Sequence, residues 1–315
     1  MRVLITGGAG FIGSHVADQC LARGWQVAVV DNLASGRREN VPNDARFYEV
    51  DICDATALES VFADFQPTHV SHQAAQASVA VSVREPQVDA SVNILGSLNV
   101  LTSSVRHGIS RIVFASTGGA IYGEVPEGTR ASIEMVPVPI SPYACSKFAV
   151  EKYLECFRLE HGLQYTILRY ANVYGPRQDP HGEAGVVAIF CNRILDNQGI
   201  QVNARRERGD DGCVRDYVFI GDVVGANIAG IENRIPDSII NIGSGSETTT
   251  SELAEILQKH LHNRVEVSPN DRRAGDIERS VLNADRLTEL LGAPVPVEQG
   301  LAETAQWFGQ RSAAV

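Results

Sequence analysis

The amino-acid sequence predicts an α/β protein, a doubly wound parallel sheet with a smaller C-terminal part. Three observations point there. Short β-rich runs alternate with helical stretches through the first half, a glycine-rich turn joins the first run to the first helix, and the rhythm breaks near Tyr170. At 315 residues, 44% of them hydrophobic, the chain can bury a full core, so disorder is not expected.

The strand candidates are Val3–Thr6, Val27–Val30, Phe47–Val50, His69–Gln73 and Arg111–Ala115. Their alternation with helices predicts a parallel sheet covered on both faces. After Gly13, residues Val16, Cys20 and Leu21 share one side, and Gly24 follows as a helix terminator. Ser141 suits a helix cap and Pro142 the first helical position of a long helix. Beyond Tyr170, the breakers Gly175, Pro176, Pro180, Gly182 and Gly185 predict loops. The expected division is 1–170 for the main domain and 171–315 mainly for a smaller one. Tyr217–Asp222 and Ile239–Gly243, within 217–245, are expected to return to the main sheet.

A net charge of −11 disfavours a nucleic-acid partner, because such binding rests on Lys and Arg neutralising phosphates. Val3-Leu4-Ile5 is too short an apolar run for a signal peptide or a membrane span, which predicts a cytoplasmic protein with no membrane partner. Six cysteines without CxxC spacing fit reduced thiols. The eight histidines form no ligand cluster in sequence, so no metal is expected.

Thr6-Gly7-Gly8-Ala9-Gly10-Phe11-Ile12-Gly13 has GxxGxxG spacing between a strand and a helix, which lets backbone approach a pyrophosphate at a helix amino terminus. This marks a Rossmann-type dinucleotide site. Asp31-Asn32 ends the second strand, where a carboxylate accepts hydrogen bonds from ribose hydroxyls; this favours NAD over NADP. Arg37 and Arg38 offer the opposite reading, contact with a ribose phosphate, or stand as solvated loop charges. Asp51-Ile52 and Ala74-Ala75 follow the third and fourth strands, at the carboxyl ends where cofactor atoms belong.

Tyr143 and Lys147 lie four apart on the long helix and so share a face. An ammonium beside the phenol would favour the phenolate. Upstream, Ser116 and Thr117 offer hydroxyls at a strand's carboxyl end, beside the expected nicotinamide.

These motifs, with Tyr170-Ala171-Asn172-Val173-Tyr174-Gly175-Pro176-Arg177 and Arg215-Asp216-Tyr217-Val218, resemble the extended short-chain dehydrogenase/reductase family over nearly the whole chain. Within that family the chain is most similar to the nucleotide-sugar C4 epimerases. The resemblance implies Tyr143, Lys147 and Thr117 as catalytic residues, with Ser116 joining the substrate contacts. It adds Asn93 and Tyr170 to the NAD contacts. It further implies that Asn172 meets the sugar or diphosphate, that Arg215 holds the diphosphate or ribose, and that Arg273 and Asp276, in Arg273-Ala274-Gly275-Asp276, serve the nucleotide. A homodimer through helices near Pro86–His107 and Pro142–His161 is implied as well.

Related dehydratases carry acidic residues directly after the hydroxyl residue, where this chain has Gly118 and Gly119. Inverting C4 needs one base and a reversible hydride acceptor, whereas loss of water needs a positioned acid and base. The expectation is therefore reversible C4 epimerisation of a UDP-hexose, UDP-glucose/UDP-galactose. A UDP-glucuronate epimerase or decarboxylase and a non-catalytic NAD-binding regulator are the alternatives. Ser280 is small where the resemblance places a side chain beside the sugar's C2 substituent, so N-acetylated UDP-hexoses are expected substrates too. The chain departs from the common pattern at Gly118, where a hydroxyl usually stands four residues before Tyr122, and Thr117 is the substitute. A second departure is the polar stretch Asn203–Gly212, to which no chemistry is assigned.

Overall fold

A computed structural model describes residues 1–180, 185–273 and 275–312; Gly182 and Ala274 lie outside the described residues. In chain order the first elements are β1 (Arg2–Thr6), α1 (Phe11–Ala22), β2 (Gln26–Asp31), β3 (Arg46–Glu49), α2 (Ala55–Phe65) and β4 (His69–His72). Then come α3 (Val79–Arg84), α4 (Pro86–Ala90), a π turn (Ser91–Gly96), α5 (Ser97–Arg106), β5 (Arg111–Thr117), α6 (Gly118–Ile121), α7 (Pro142–His161) and β6 (Tyr165–Tyr170). The C-terminal half holds β7 (Asn172–Tyr174), α8 (Val186–Leu195), β8 (Ile200–Asn203), β9 (Val214–Arg215), β10 (Tyr217–Phe219), α9 (Ile220–Ile231) and β11 (Ile239–Ile242). It ends with β12 (Thr248–Thr249), α10 (Thr250–His260), β13 (Val267–Asn270), β14 (Arg279–Ser280), α11 (Asp285–Leu291) and α12 (Val297–Ser312).

Seven strands form the main sheet in the order β11-β6-β5-β4-β1-β2-β3, so the predicted fold class is the observed one. β1 pairs in parallel with both β2 and β4. The strand order reverses at β1, and a crevice at the carboxyl ends of β1 and β4 is where this architecture binds ligands. Fully buried Leu4, Ala28, Val70 and Ile112 line the sheet, and Phe62 of α2 and Leu154 of α7 pack in the same core. Burying one such Leu or Phe contributes about 1.5–3 kcal/mol.

The helix signals act as local chemistry dictates. Gly24 ends α1 at φ +71° with its N–H on the carbonyl of Leu21. Ser141 Oγ accepts the N–H of Ala144 at 3.2 Å, Pro142 opens α7, and Gly162 closes it at φ +71°.

The chain divides into two compact units, neither of them continuous in sequence. The first is Met1–Thr117, Pro139–Arg169 and Val224–Ile240; the second is Gly118–Val138, Tyr170–Val223 and Asn241–Val315. Residues 118–138 thus leave the main domain in which the sequence reading put them. Backbone bonds hold that segment to the region of β14: Val125 N–H donates to Arg279, and Ala131 N–H to Val281. The Arg279 guanidinium, buried, donates to the carbonyls of Val125, Pro126 and Thr129. Of the two segments expected to return to the sheet, Ile239–Ile242 does so as β11. Tyr217–Phe219 does not, pairing instead in parallel with β7, where Tyr174 meets the rings of Tyr217 at 6.3 Å and Phe219 at 5.7 Å.

Among the described residues no helix is long and apolar enough to cross a membrane, and no group of three His, Cys, Asp or Glu is placed to hold a metal.

Candidate active site

The glycine turn is shaped by backbone packing. Gly7 has φ +68°, and a Cβ there would lie 2.6 Å from Ala74 N; at Gly13 it would lie 2.2 Å from the carbonyl oxygen of Gly7. Both positions exclude a side chain. The α1 amino terminus at Gly10 has no side-chain cap, so its first N–H groups, between Phe11 and Ile12, remain available to an anion. Asp31, 8% exposed, accepts the N–H of Ala9 at 3.0 Å and of Leu33 at 2.9 Å, with burial pushing its pKa up. Asn32 donates to Asp51 at 2.9 Å, and Asp51 accepts the N–H of Cys53, which holds its carboxyl below the usual value. Ile52 packs where a Cβ on Gly96 of the π turn would meet it at 2.8 Å. Arg38 stacks on the Phe47 ring at 4.6 Å and Arg37 approaches Glu39 at 3.8 Å. A close backbone turn, an uncapped helix end and a buried carboxylate closing β2 fit a dinucleotide such as NAD.

Tyr143 and Lys147 occupy one face of the first turns of α7. Lys147, 3% exposed, donates to the Ala115 carbonyl at 2.9 Å and lies 4.9 Å from the Phe114 ring centroid. Burial pulls its pKa down to about 8, against the raising charges of Asp89 and Glu151. Tyr143 differs from the sequence expectation. Burial, and secondarily the charge of Asp89, push the phenol up to about 12 rather than down. The lysine's hydrogen bond goes to the strand end, so the isolated chain holds Tyr143 as a neutral phenol at pH 7.

Thr117 and Ser116 end β5, both buried. Ser116, expected at the substrate, donates instead to Glu151 at 2.6 Å, and Glu151 accepts Arg169 Nε at 2.9 Å. Its hydroxyl is therefore engaged inside the protein, which leaves Thr117 as the other hydroxyl of the pair. Asn93 likewise turns inward: its Oδ1 accepts Gln76 N–H, and its Nδ2 donates to Gln76 O at 2.9 Å and to Asp89 at 2.8 Å. Tyr170 closes β6 and is buried, and Ala74-Ala75 follow β4.

In the second unit a cavity of about 430 Å³ brings together four of the expected substrate residues, Asn172, Arg215, Arg273 and Asp276. Arg215 is steadied by an Nη1 bond to the Val214 carbonyl at 3.0 Å, and Asn172 by one to Asp216 O at 3.0 Å. Two guanidiniums in one wall suit a diphosphate, which they can bind in bidentate fashion. The polar stretch ahead of Arg215 finds its purpose in Asp210, whose carboxylate accepts the N–H groups of Arg205, Arg206, Glu207 and Gly212. Those donors hold its pKa down to about 2, so the loop is a turn organised around one anion.

Sequence reading missed the buried carboxylates Asp89 and Glu151. Glu151 follows Lys147 by four residues and so shares its face, a signal that was available. Asp89 lies four before Asn93 on a helix whose π turn had no visible cue.

A dinucleotide turn, a Tyr-Lys pair on one helix and a doubly wound sheet define a class of nicotinamide-dependent proteins, and the profile of the NAD dependent epimerase/dehydratase family matches residues 3–243. The chain belongs to that family. It is 51% identical to the UDP-glucose 4-epimerase of Thermus thermophilus, whose crystal structure is a complex with NAD; the match covers 98% of this chain and 99% of that one with a TM-score of 0.94. The UDP-glucose 4-epimerase of Thermotoga maritima, solved with UDP-glucose, is 46% identical over 99% of both chains, TM-score 0.92. The UDP-glucose 4-epimerase of Mycolicibacterium smegmatis is 39% identical over 99% of this chain and all of its own length.

Proposed function

We propose that the protein is an NAD-dependent epimerase that interconverts UDP-glucose and UDP-galactose by inverting C4. The observation that carries this reading is the cavity in which Arg215, Arg273, Asn172 and Asp276 converge, in a chain of the NAD dependent epimerase/dehydratase family that also carries Tyr143 and Lys147 on one helix. Arg215 and Arg273 hold the diphosphate. Bound at the glycine turn, NAD supplies a reversible acceptor for the C4 hydride. Tyr143 takes the O4 proton and returns it once the 4-keto sugar has turned its other face; Lys147 supplies positive charge near the phenol, and Thr117 hydrogen-bonds the sugar oxygen. Gly118 and Gly119 supply no carboxylate for dehydration.

Incubation with UDP-galactose, with products read by NMR and reduced cofactor by absorbance, should give the C4 epimer without net reduced cofactor. Unchanged UDP-galactose from a protein that still binds UDP would overturn the reading and favour a uronate-directed or non-catalytic role.

The reading extends to N-acetylated sugars. Ser280 is buried, with its hydroxyl 3.2 Å from the Gly119 carbonyl, and adds little bulk. UDP-N-acetylgalactosamine should turn over in the same assay, and Ser280→Tyr should abolish that activity alone. Equal loss of both activities would sink the assignment.

We also propose a homodimer through the two helical stretches 86–107 and 142–161. Exposed Val88 and Leu95 on the first, and Tyr153 and Leu159 on the second, support it. Sedimentation equilibrium should return twice the 34.0 kDa chain mass; a monomer at micromolar concentration would exclude the pairing. The six thiols, all free, suit a reducing cytoplasm.

A further inference from the structure

Asp89 is a fully buried carboxylate with no cation among its hydrogen-bond partners. Its Oδ1 accepts Asn93 Nδ2 at 2.8 Å and Gln76 Nε2 at 3.0 Å, and its Oδ2 accepts Ser146 Oγ at 2.6 Å. Both amides are oriented by backbone donors: Asn93 Oδ1 takes Gln76 N–H and Gln76 Oε1 takes Ser78 N–H. Only donors therefore face the carboxylate from those side chains. Such an arrangement stabilises an anion at a place where burial alone would disfavour it. Ser146 adjoins Lys147 and lies one turn beyond Tyr143 on α7.

We propose that Asp89 is a positioning residue for the Tyr143–Lys147 pair, tying α7 to the π turn through Ser146 and Asn93 and placing a carboxyl group within electrostatic reach of Lys147. This rests on the pair having the role given above. The titratable groups on the elements packed against α4 are few. On α7 they are Tyr143, Lys147 and Glu151, the last held by Arg169 and Ser116; further along α7, Lys152 is exposed and half-buried Glu155 is bonded to Arg158 and Tyr165. At the end of α3, Arg84 pairs with Glu85 at the surface. The π turn carries none, and neutral His72, between Thr6 and Ser97, adds no charge.

The chain has only three lysines, Lys147, Lys152 and Lys259, so the labelled side-chain carbon of Lys147 can be followed by NMR without substrate. In the unloaded native protein its titration midpoint should lie near the value of about 8 that burial sets. Removing the anion lowers the midpoint, because a neutral neighbour no longer favours the charged amine. Asp89→Asn and the smaller Asp89→Ser should each bring it down by about one pH unit, and the alkaline limb of the epimerisation pH profile should move down with it. An unmoved midpoint in the folded variants would overturn the proposal. A protein whose Lys147 shifts but which never epimerises would instead overturn the functional reading.

Discussion

Tyr143→Phe should yield a folded protein that binds UDP normally yet inverts C4 some 10²–10⁴ times more slowly, the loss expected when one positioned proton carrier is removed. The phenolic oxygen has no hydrogen-bond partner among the described residues, so removing it strands no buried donor, and the melting temperature should hardly change. In the native enzyme the same geometry predicts a rising pH limb. The phenol sits near 12 in the isolated chain, so the fraction able to accept the O4 proton increases as pH increases, until the charge of Lys147 is lost. Product NMR across a pH series checks both statements. A variant with native turnover would remove Tyr143 from the chemistry.

Arg215→Ala should act on the other half of the reaction. Truncation removes a guanidinium from the cavity wall, and the loss of a charge-assisted bidentate contact weakens binding of UDP by about 100-fold, roughly 2.7 kcal/mol. The effect should fall on KM and on the calorimetric affinity for UDP, with kcat at saturation much less altered. A large fall in kcat with unchanged affinity would mean that the arginine handles the hexose rather than the nucleotide.

What was legible in the sequence was local chemistry. The glycine turn, the Ser141-Pro142 start of α7, the terminator Gly24 and the strand runs up to Arg111 each follow from a few adjacent residues. The convergence of Arg215 with Arg273, far apart in sequence, came from family resemblance rather than from pattern. Other features depend on partners that periodicity does not name. Tyr217–Phe219 is as apolar as any sheet strand, but the rings of Tyr174 and its neighbours decide where it pairs. Ser116 reads as a site hydroxyl until Glu151 is seen within 2.6 Å of it. The loop after Asn203 reads as unexplained charge because the four N–H groups around Asp210 are backbone donors, which composition cannot reveal.

The interleaving of the two units also constrains how the molecule is made. Residues 118–138 are made some 150 positions before their backbone partners on Arg279 and Val281. β9, the strand that carries Arg215, pairs with β12 and β14 and so completes its sheet only after Ser280 has been made, whereas the partners of β1 through β4 are all present by Thr117. Synthesis thus lays down the glycine turn and the strands beside it before the small sheet that carries Arg215 exists. Pairings this distant are slow to close because loop entropy must be overcome first.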